Sequence, residues 1–378
     1  MNWEAVLLAG SLFLLAYTWA GYPLLLLALG KAGSRPSRPA NGNPTVSIVV
    51  AVHNEESQIA AKLEDCLALQ WPRESLEILV ASDGSTDATE EIVDAFAARD
   101  FRIRLLRTPG RAGKSGAQNL AAEHARGEIL VFTDAGTRTQ PDLLQQLAAG
   151  FADPRIGLVA PVVHFGRFDT TVSKSQGAYW RFELFLRQLE SDIGILATAS
   201  GAAFAIRRAL FRPIPVQFGD DCIVPLDVRL QGFRVLQEQR AVVSDEMPHS
   251  IEAELRARIR MTARNWNGIL SRPGLLNLVR FPGTAWGLLS HKFLRWMTPV
   301  FLAGMFLANA VLASRSQFRL LFTLQVCFYV AALIGWRRSR QRPCERIFGY
   351  PFAFCLANLG FLLGILRSFL GHRVIAYK

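Results

Sequence analysis

The stretch LEILVASDGSTD, at residues 76–87, decides the fold of this chain. Its first half is a near-continuous apolar run, which is typical of a strand buried on both faces of a parallel sheet. The run ends at Asp83. Asp87, with Glu90 three residues later, is the pattern of a capping box that opens a helix at 89–99. Ligands bind outside the carboxyl ends of such strands, so the pattern predicts a crevice with Asp83 at its edge.

Strands and helices alternate through the first half of the chain. The predicted strands lie at 46–52, 76–82, 103–108 and 128–134, and the predicted helices at 58–69, 88–99 and 117–126. This βαβα order predicts an α/β domain whose parallel sheet carries helices on both faces. The fourth strand, EILVFTD, ends in Asp134 as the second ends in Asp83. A single strand-end Asp can equally cap a helix, but the pair favours one shared ligand.

Apolar runs flank this domain. Hydrophobic residues make up 51% of the chain, and four runs at 5–29, 296–313, 318–336 and 350–370 approach the roughly 20 residues that cross a bilayer. The last run contains Arg367, so it fits a short or interfacial segment as well as a crossing one. The sequence thus divides into a transmembrane helix at 1–30, a domain at 44–283 behind a polar linker at 34–44, and a membrane region at 284–378 with two or three helices.

The net charge of +11 is concentrated beside the apolar runs rather than in a stripe on the domain. This positive-inside pattern predicts a cytoplasmic domain, an external amino terminus and contact with the membrane, and it argues against nucleic acid as a partner. The basic residues concerned are Lys31, Arg35, Arg38, Arg337, Arg338, Arg340, Arg342 and Arg346. Five cysteines without a C-x-x-C pair argue against a disulfide framework or a zinc site.

Six motifs in order resemble the membrane-bound branch of the family 2 nucleotide-sugar glycosyltransferases, which have the GT-A fold. They are VAVHNEE (50–56), ASDGSTD (81–87), GKSGAQN (113–119), FTDAG (132–136), SGAAFAIRR (200–208) and GDD (219–221). The resemblance covers most of the chain and is strongest between residues 46 and 270. It implies an α/β, Rossmann-like GT-A domain in the cytoplasm, with transmembrane helices before and after it.

The resemblance also implies roles for individual residues. The donor nucleotide sugar, for which a UDP-sugar is favoured, would contact Asn54, Glu55, Asp83, Lys114, Asn119 and Asp134. Asp134 would also bind a divalent metal, Mg²⁺ or Mn²⁺, since carboxylate oxygens suit these ions. Asp221, with Asp220 beside it, would be the catalytic base, and the acceptor or its phosphate would contact Gly201, Arg260, Arg264 and Trp266. A hydrogen bond within a turn or helix is the alternative role of Asn119.

Two departures from the family pattern stand out. Gly136 occupies the place of a second acidic residue in FTDAG, so His249 or water would have to complete the metal shell. The processive synthases carry Q-x-x-R-W, whereas Trp266 here does not share a helix face with Arg260, which argues against a polymer-threading channel. Arg256, Arg260 and Arg264 do share a face, either as a solvated or lipid-facing stripe or as a phosphate clamp.

The sequence therefore predicts an inverting glycosyltransferase of the bacterial inner membrane. Its acceptor would be a lipid-linked or saccharide molecule near the membrane, in cell-surface polysaccharide or glycolipid biosynthesis. A processive polysaccharide synthase and a catalytically inactive, membrane-anchored nucleotide-binding protein remain the alternatives. GRAGKS, at 110–115, only resembles a phosphate loop, because Thr108 stands where that motif requires glycine.

Overall fold

The computed structural model describes residues 2–30, 42–166, 171–246, 250–339 and 345–370. Most of the predicted linker at 34–44 lies outside these ranges. The metal-ligand candidate His249 and several basic residues of the positive-inside pattern lie outside them too, namely Lys31, Arg35, Arg38, Arg340 and Arg342.

The domain is built on a mixed sheet of eight strands within the described residues. These are β1 (Val46–Val52), β2 (Leu76–Ser82), β3 (Ile103–Arg107), β4 (Ile129–Thr133), β5 (Arg138–Thr139), β6 (Ile156–Gly166), β7 (Ala203–Arg207) and β8 (Arg234–Glu246). The spatial order is β3-β2-β1-β4-β7-β6-β8-β5. The first four strands are parallel neighbours, as predicted, and β7 pairs antiparallel with β4.

Fourteen α-helices accompany the sheet in the described ranges. They are α1 (Trp3–Ala16), α2 (Tyr22–Gly30), α3 (Ile59–Leu67), α4 (Thr89–Ala97), α5 (Gly113–His124), α6 (Leu143–Gly150), α7 (Thr171–Asp192), α8 (Asp220–Leu230), α9 (Ile251–Leu270), α10 (Pro282–Gly287), α11 (Leu294–Trp296), α12 (Thr298–Leu312), α13 (Ser316–Ser339) and α14 (Arg346–Phe369). π-helical turns at Tyr17–Gly21 and Leu288–Phe293 join α1 to α2 and α10 to α11.

Helices cover both faces of the sheet, which confirms the predicted layering. Alternate residues of β1 point to opposite faces, so Ile48 and Val50 join the core under α3, α4 and α6, while Val49 joins the core under α5 and α8. Because the central strands are buried on each side, their sequences read as continuous apolar runs.

The predicted capping box at the start of α4 is wrong. Asp87 does accept hydrogen bonds from Thr89, at its backbone N (3.0 Å) and at its hydroxyl (2.5 Å). Glu90 does not reach back to the helix start; its carboxylate binds Ser82 Oγ at 2.6 Å and Arg107 Nε at 2.7 Å. Those partners lie on β2 and β3. Tertiary contacts therefore bind the Glu90 side chain, which the local sequence pattern had assigned to the start of the helix.

Helix α5 begins at Gly113, four residues before its predicted start. The reason is Asp83, whose carboxylate accepts hydrogen bonds from the backbone N of Ala112 (2.6 Å) and of Gly113 (3.0 Å). These are free donors at a helix start, and a carboxylate there also favours the helix dipole. Gly113 has φ +74°, a conformation that glycine adopts without strain.

Three helical segments are long and apolar enough to cross a membrane: Trp3–Gly30, Ser316–Ser339 and Arg346–Phe369. They match three of the four predicted runs. The fourth run, at 296–313, forms α12, and Pro282–Trp296 together with Thr298–Leu312 passes the same length and composition test only as a pair bent by 54°. The described chain therefore contains three candidate spans, or four if the bent pair is one span.

Helix α14 packs directly on α9 of the domain. A Cβ atom at Gly364 would lie 2.6 Å from Thr262 Cβ, and one at Gly360 would lie 2.9 Å from Arg258 Cγ. The two glycines therefore permit a close helix–helix approach, and this candidate span is fixed against the domain.

We expect Gly127→Ala to destabilise the domain. A Cβ atom at Gly127 would lie 2.5 Å from Ser47 N and 2.7 Å from Ser47 Oγ, in the junction where β4 joins β1. Overpacking of this kind costs about 1–3 kcal/mol. The melting temperature of the detergent-purified protein should fall, whereas Gly110→Ala, where nothing lies within 4 Å, should leave it nearly unchanged. Equal melting temperatures for the two variants would contradict this packing.

Candidate functional site

The candidate site lies at the carboxyl ends of β1, β2 and β4. The chain leaves β1 toward β2 on one side, and β4 lies on the other, so the sheet order reverses between β1 and β4. Such a reversal opens a crevice where open α/β sheets bind ligands. Asn54 follows β1, Asp83 follows β2 and Asp134 follows β4, so the topology gathers three predicted site residues at one edge.

One ammonium group links residues from three of the motifs. Lys114 Nζ lies 2.7 Å from Asp134 Oδ1 and 3.0 Å from Asp220 Oδ2. Gln118, one turn later on α5, donates from Nε2 to the same Asp220 oxygen at 2.6 Å. The first turns of α5 thus connect the carboxylate that follows β4 with the carboxylate that opens α8.

The two adjacent aspartates of GDD are electrostatically different. Burial alone would raise the pKa of Asp220, but Lys114 and the hydrogen bond from Gln118 outweigh it and lower that pKa below its ordinary value. Burial, and then the charge of Asp220, raise the pKa of Asp221. Asp220 is therefore held as a structural anion, and Asp221 is the stronger base of the two.

Two glycines lie against the Asp221 side chain, and Gly219 leaves room for it. A Cβ atom at Gly219 would lie 2.5 Å from Asp221 Oδ1, so only glycine fits before the aspartate pair. Gly201, which was predicted on the acceptor side, lies against the same side chain, with its Cβ position 3.8 Å from Asp221 Cβ. The backbone N of Ala199 donates to the Asp221 carbonyl at 2.9 Å, which fixes this segment beside the start of α8.

The loops after β1 and β2 hold each other. Asn54 has φ +56°, and its Oδ1 accepts a hydrogen bond from the backbone N of Thr86 at 2.8 Å. Glu55 is half-buried beside them, and its pKa is raised by burial and by the charges of Asp134 and Asp87. Asp83 is buried, and both of its carboxylate oxygens accept hydrogen bonds at the start of α5, so it orients the helix that carries Lys114.

Asn119 has a structural role in this state. Its Nδ2 donates to the carbonyl of Ile214 at 2.9 Å, and its Oδ1 accepts from the backbone N of Ile214 at 2.8 Å. The side-chain amide of Asn119 is thus hydrogen-bonded at both its nitrogen and its oxygen to the backbone of one residue. These bonds support its alternative role as an internal hydrogen-bonding residue, and its contact with the donor stays a prediction.

Two predicted acceptor residues on α9 are buried in the domain. Arg264 Nη2 donates to the carbonyl of Phe218, directly before GDD, so the residue belongs neither to a solvated stripe nor to a lipid-facing one. Trp266 packs against Phe293 and Trp296, with ring centroids 4.8 and 6.0 Å away, and its contact with the acceptor stays a prediction. The three arginines do not form one exposed stripe, because α9 enters the domain toward its C-terminal end. Arg256 is exposed, Arg260 is half-buried and Arg264 is buried.

The sequence analysis missed two residues that support the site. Lys62 is fully buried beneath the Asp134 turn and donates to Thr133 Oγ1 and to the Thr137 carbonyl, both at 2.8 Å. Its place on the apolar face of α3 was an available signal. Gln118 lies four residues after Lys114, hence on the same helix face, and this spacing could have indicated its bond to Asp220.

The side chains of the site can hold a divalent metal ion that a substrate also binds. Among the described residues, no three His, Cys, Asp or Glu side chains gather as a metal site. Asp134, however, lies at the mouth of the crevice with 42% of its side chain exposed. Mg²⁺ in proteins is commonly held by one or two carboxylates together with substrate phosphates. A single carboxylate is therefore sufficient for a metal that arrives with a diphosphate.

Comparison with known proteins identifies the family. The sequence profile of glycosyl transferase family 2 matches residues 47–214. Residues 47–214 therefore belong to a glycosyl transferase family 2 domain. A mannosyltransferase, PcManGT from Pyrobaculum calidifontis, solved in complex with GDP-Man and Mn²⁺, is 21% identical and superposes with a TM-score of 0.75 over 97% of this chain and 99% of its own. The predicted GT-A fold, with apolar helices before and after the domain, is confirmed.

Curated relatives share part of this chain. An N-acetylglucosaminyltransferase of Sinorhizobium fredii is 26% identical over 268 residues, which are 67% of this chain and 63% of the relative. A beta-monoglucosyldiacylglycerol synthase of Nostoc sp. is 29% identical over 206 residues, which are 53% of this chain and 43% of the relative. The chain thus spans less than two thirds of the length of either of these relatives.

Replacement of Asn119 separates its two roles. Asn119→Ala should destabilise the protein by about 1–3 kcal/mol, because the backbone N–H and C=O of Ile214 lose their partners. The melting temperature should fall while the dissociation constant for UDP or GDP stays nearly constant. Gln145→Ala, which removes an exposed amide, is the control and should change neither. A large loss of nucleotide affinity at an unchanged melting temperature would instead show that Asn119 contacts the donor.

Proposed function

We propose that this chain is an inverting glycosyltransferase that moves a sugar from a nucleotide donor to an acceptor near the membrane. The observation that carries the proposal is the contact of Lys114 with both Asp134 and Asp220, beside Asp221. It brings a cation and a metal-binding carboxylate together with a base across one crevice. The glycosyltransferase domain would comprise residues 44–283, between the membrane segments.

The donor would lie over the carboxyl ends of β1 and β2. Asn54, Glu55 and Asp83 line that edge, and Lys114 supplies positive charge for the diphosphate. We favour a UDP-sugar. The solved mannosyltransferase contains GDP-Man, so uridine and guanosine nucleotides are both to be assayed.

The chemistry requires a negative charge to be stabilised on one side and a proton to be removed on the other. Mg²⁺ or Mn²⁺, when bound at Asp134, would neutralise the departing nucleotide diphosphate. Asp221 would accept the proton of the acceptor hydroxyl as its oxygen attacks the anomeric carbon from the opposite face. A single displacement of this kind inverts the anomeric configuration. Asp220 is a positioning residue, since Lys114 and Gln118 already engage it.

The protein would lie in the bacterial inner membrane with its domain in the cytoplasm. Support comes from the candidate spans on both sides of the domain and from Arg337 and Arg338, which follow the apolar part of α13. The burial of Trp266 in an aromatic cluster favours a single transfer over a processive synthase. The pathway we propose is the synthesis of a cell-surface polysaccharide or glycolipid.

The metal role of Asp134 is directly testable. Asp134→Ala should abolish turnover and should also remove the part of nucleotide affinity that depends on Mn²⁺, measured by calorimetry with and without the ion. Asp94→Ala, which breaks an exposed ion pair with Arg107, is the control, because such pairs contribute only about 0–1 kcal/mol. Full turnover in excess chelator would exclude the metal while leaving the transferase proposal intact.

The base assignment predicts different effects at the two neighbouring aspartates. Asp221→Asn should slow turnover by about two to four orders of magnitude, the usual range for loss of a general base, with donor affinity little changed. Asp220→Asn should slow turnover less and lower the melting temperature more, because it removes a buried partner of Lys114.

The pH profile provides a second check on the base. A base works only when deprotonated, so the rate should fall as the pH drops through the pKa of Asp221, and that pKa is raised above the ordinary aspartate value. The acidic limb of the wild-type profile should therefore lie above the range of a solvated aspartate and should disappear in Asp221→Asn. Near-wild-type turnover in Asp221→Asn would refute the assignment.

A further inference from the structure

Two cavities adjoin one another between the proposed base and the candidate membrane spans. The lower cavity, of about 90 Å³, has Asp221 in its wall, and the upper one, of about 270 Å³, lies toward α14. Four residues line both of them, namely Tyr179, Glu254, Arg258 and Phe361. Arg258 is held in this shared wall by Glu254 at 2.5 Å and by the ring of Tyr179, 4.5 Å away.

The upper cavity is apolar and lies between two candidate spans. Trp19, in the turn that joins α1 to α2, forms one side, and Phe354 and Leu356 of α14 form another, with Phe182 of α7 between them. Trp19 stacks on Phe182 and contacts Phe354, with centroids 5.7 and 5.6 Å away. A water-soluble sugar would gain little from such a wall, whereas a hydrocarbon chain would bury apolar surface against it.

The lower cavity carries balanced charge. Its three cations are Arg187, Arg258 and Lys292, and its three carboxylates are Glu183, Glu254 and Asp221. All three cations are already paired: Arg187 and Lys292 lie 3.0 and 2.8 Å from Glu183, and Arg258 pairs with Glu254. An anionic group would have to compete with these carboxylates, so the pocket suits an uncharged polar group. Its volume equals about three water molecules at ~30 Å³ each, which suits a small hydroxyl-bearing group.

Each cavity also contains a buried polar atom without a partner among the described residues. These atoms are Thr198 Oγ1 in the lower cavity and Asn358 Oδ1 in the upper one. Thr198 is 6% exposed and Asn358 is 4% exposed. Buried polar groups are almost always hydrogen-bonded, so Thr198 Oγ1 indicates a position for a hydroxyl group of a ligand in the lower cavity.

We propose that the acceptor is a lipid whose hydrocarbon chain occupies the upper cavity and whose uncharged, hydroxyl-bearing head occupies the lower cavity beside Asp221. The proposal rests on the proposed glycosyltransferase function and narrows its acceptor. The lipid would pass from the upper to the lower cavity at the shared wall near Arg258, which brings the reacting hydroxyl to Asp221. Thr198 would be a hydrogen-bonding partner of the head.

Photolabelling tests the lipid site without any turnover. The full chain is reconstituted in phosphatidylcholine vesicles containing a diacylglycerol with a diazirine in one chain, and the labelled peptides are identified by mass spectrometry. We expect labelling in the 350–361 segment of α14 and around Trp19. Ala357→Trp fills the upper cavity and should reduce this labelling by about tenfold or more, as expected for losing about 1.4 kcal/mol of binding.

A matched control keeps the result interpretable. Leu359→Trp adds the same indole to α14 at an exposed position outside both cavities and should leave labelling unchanged. Labelling that Ala357→Trp does not reduce, or that lies outside the cavity walls, would overturn the lipid site.

The charge of the head is tested with phosphatidic acid that carries the same diazirine chain. Weaker labelling than with diacylglycerol is expected, and stronger labelling would overturn the uncharged head. Nucleotide release from a sugar donor without acceptor is measured in parallel. If the cavity is labelled but no nucleotide is released from any sugar donor, the proposed function is refuted and the lipid site stands. If Ala357→Trp releases nucleotide and transfers the sugar to a soluble saccharide as well as wild type does, the lipid acceptor is refuted and the transferase function stands.

Discussion

The rest of the site depends on one ammonium group shared by two carboxylates. Lys114 contacts Asp134, which follows the last parallel strand, and Asp220, which opens the helix bearing the base. The Lys114–Asp220 pair is buried, and removing one partner of such a pair costs about 3–5 kcal/mol because a charge is left uncompensated. The donor side and the base side of the crevice are therefore fixed relative to one another before any substrate binds, which is the preorganisation that transfer requires.

A second buried ion network joins the domain to its flanking helices. Glu183 of α7 accepts hydrogen bonds from Arg187 on its own helix and from His291, Lys292 and Arg295 on the segment leading into α12. Burial would raise the pKa of Glu183, but Lys292 and the other cations lower it well below its ordinary value. Three of these side chains, Glu183, Arg187 and Lys292, also line the lower cavity. The contact that holds the flanking helices against the domain thus also shapes the proposed acceptor site.

The strands and the site edge were predictable because their signals are local. An apolar run that ends in Asp83 or Asp134 reports both burial and the position of the strand end. Residues that act across the fold were not predictable in this way. Asp83 caps a helix that begins 30 residues later, and Asn119 clasps Ile214, 95 residues away. The burial of Trp266 depends on aromatic rings from two later helices, so no helical-face argument could find it.

A double-mutant cycle on donor turnover tests the central claim most directly. Wild type, Lys114→Met, Asp220→Asn and the double variant are compared by nucleotide release from whichever sugar nucleotide the wild type uses. If Lys114 and Asp220 act as one unit, the second substitution should cost much less than the first, with a coupling of at least about 1 kcal/mol. Strictly additive losses, or a wild-type protein that releases nucleotide from no sugar donor, would contradict the account.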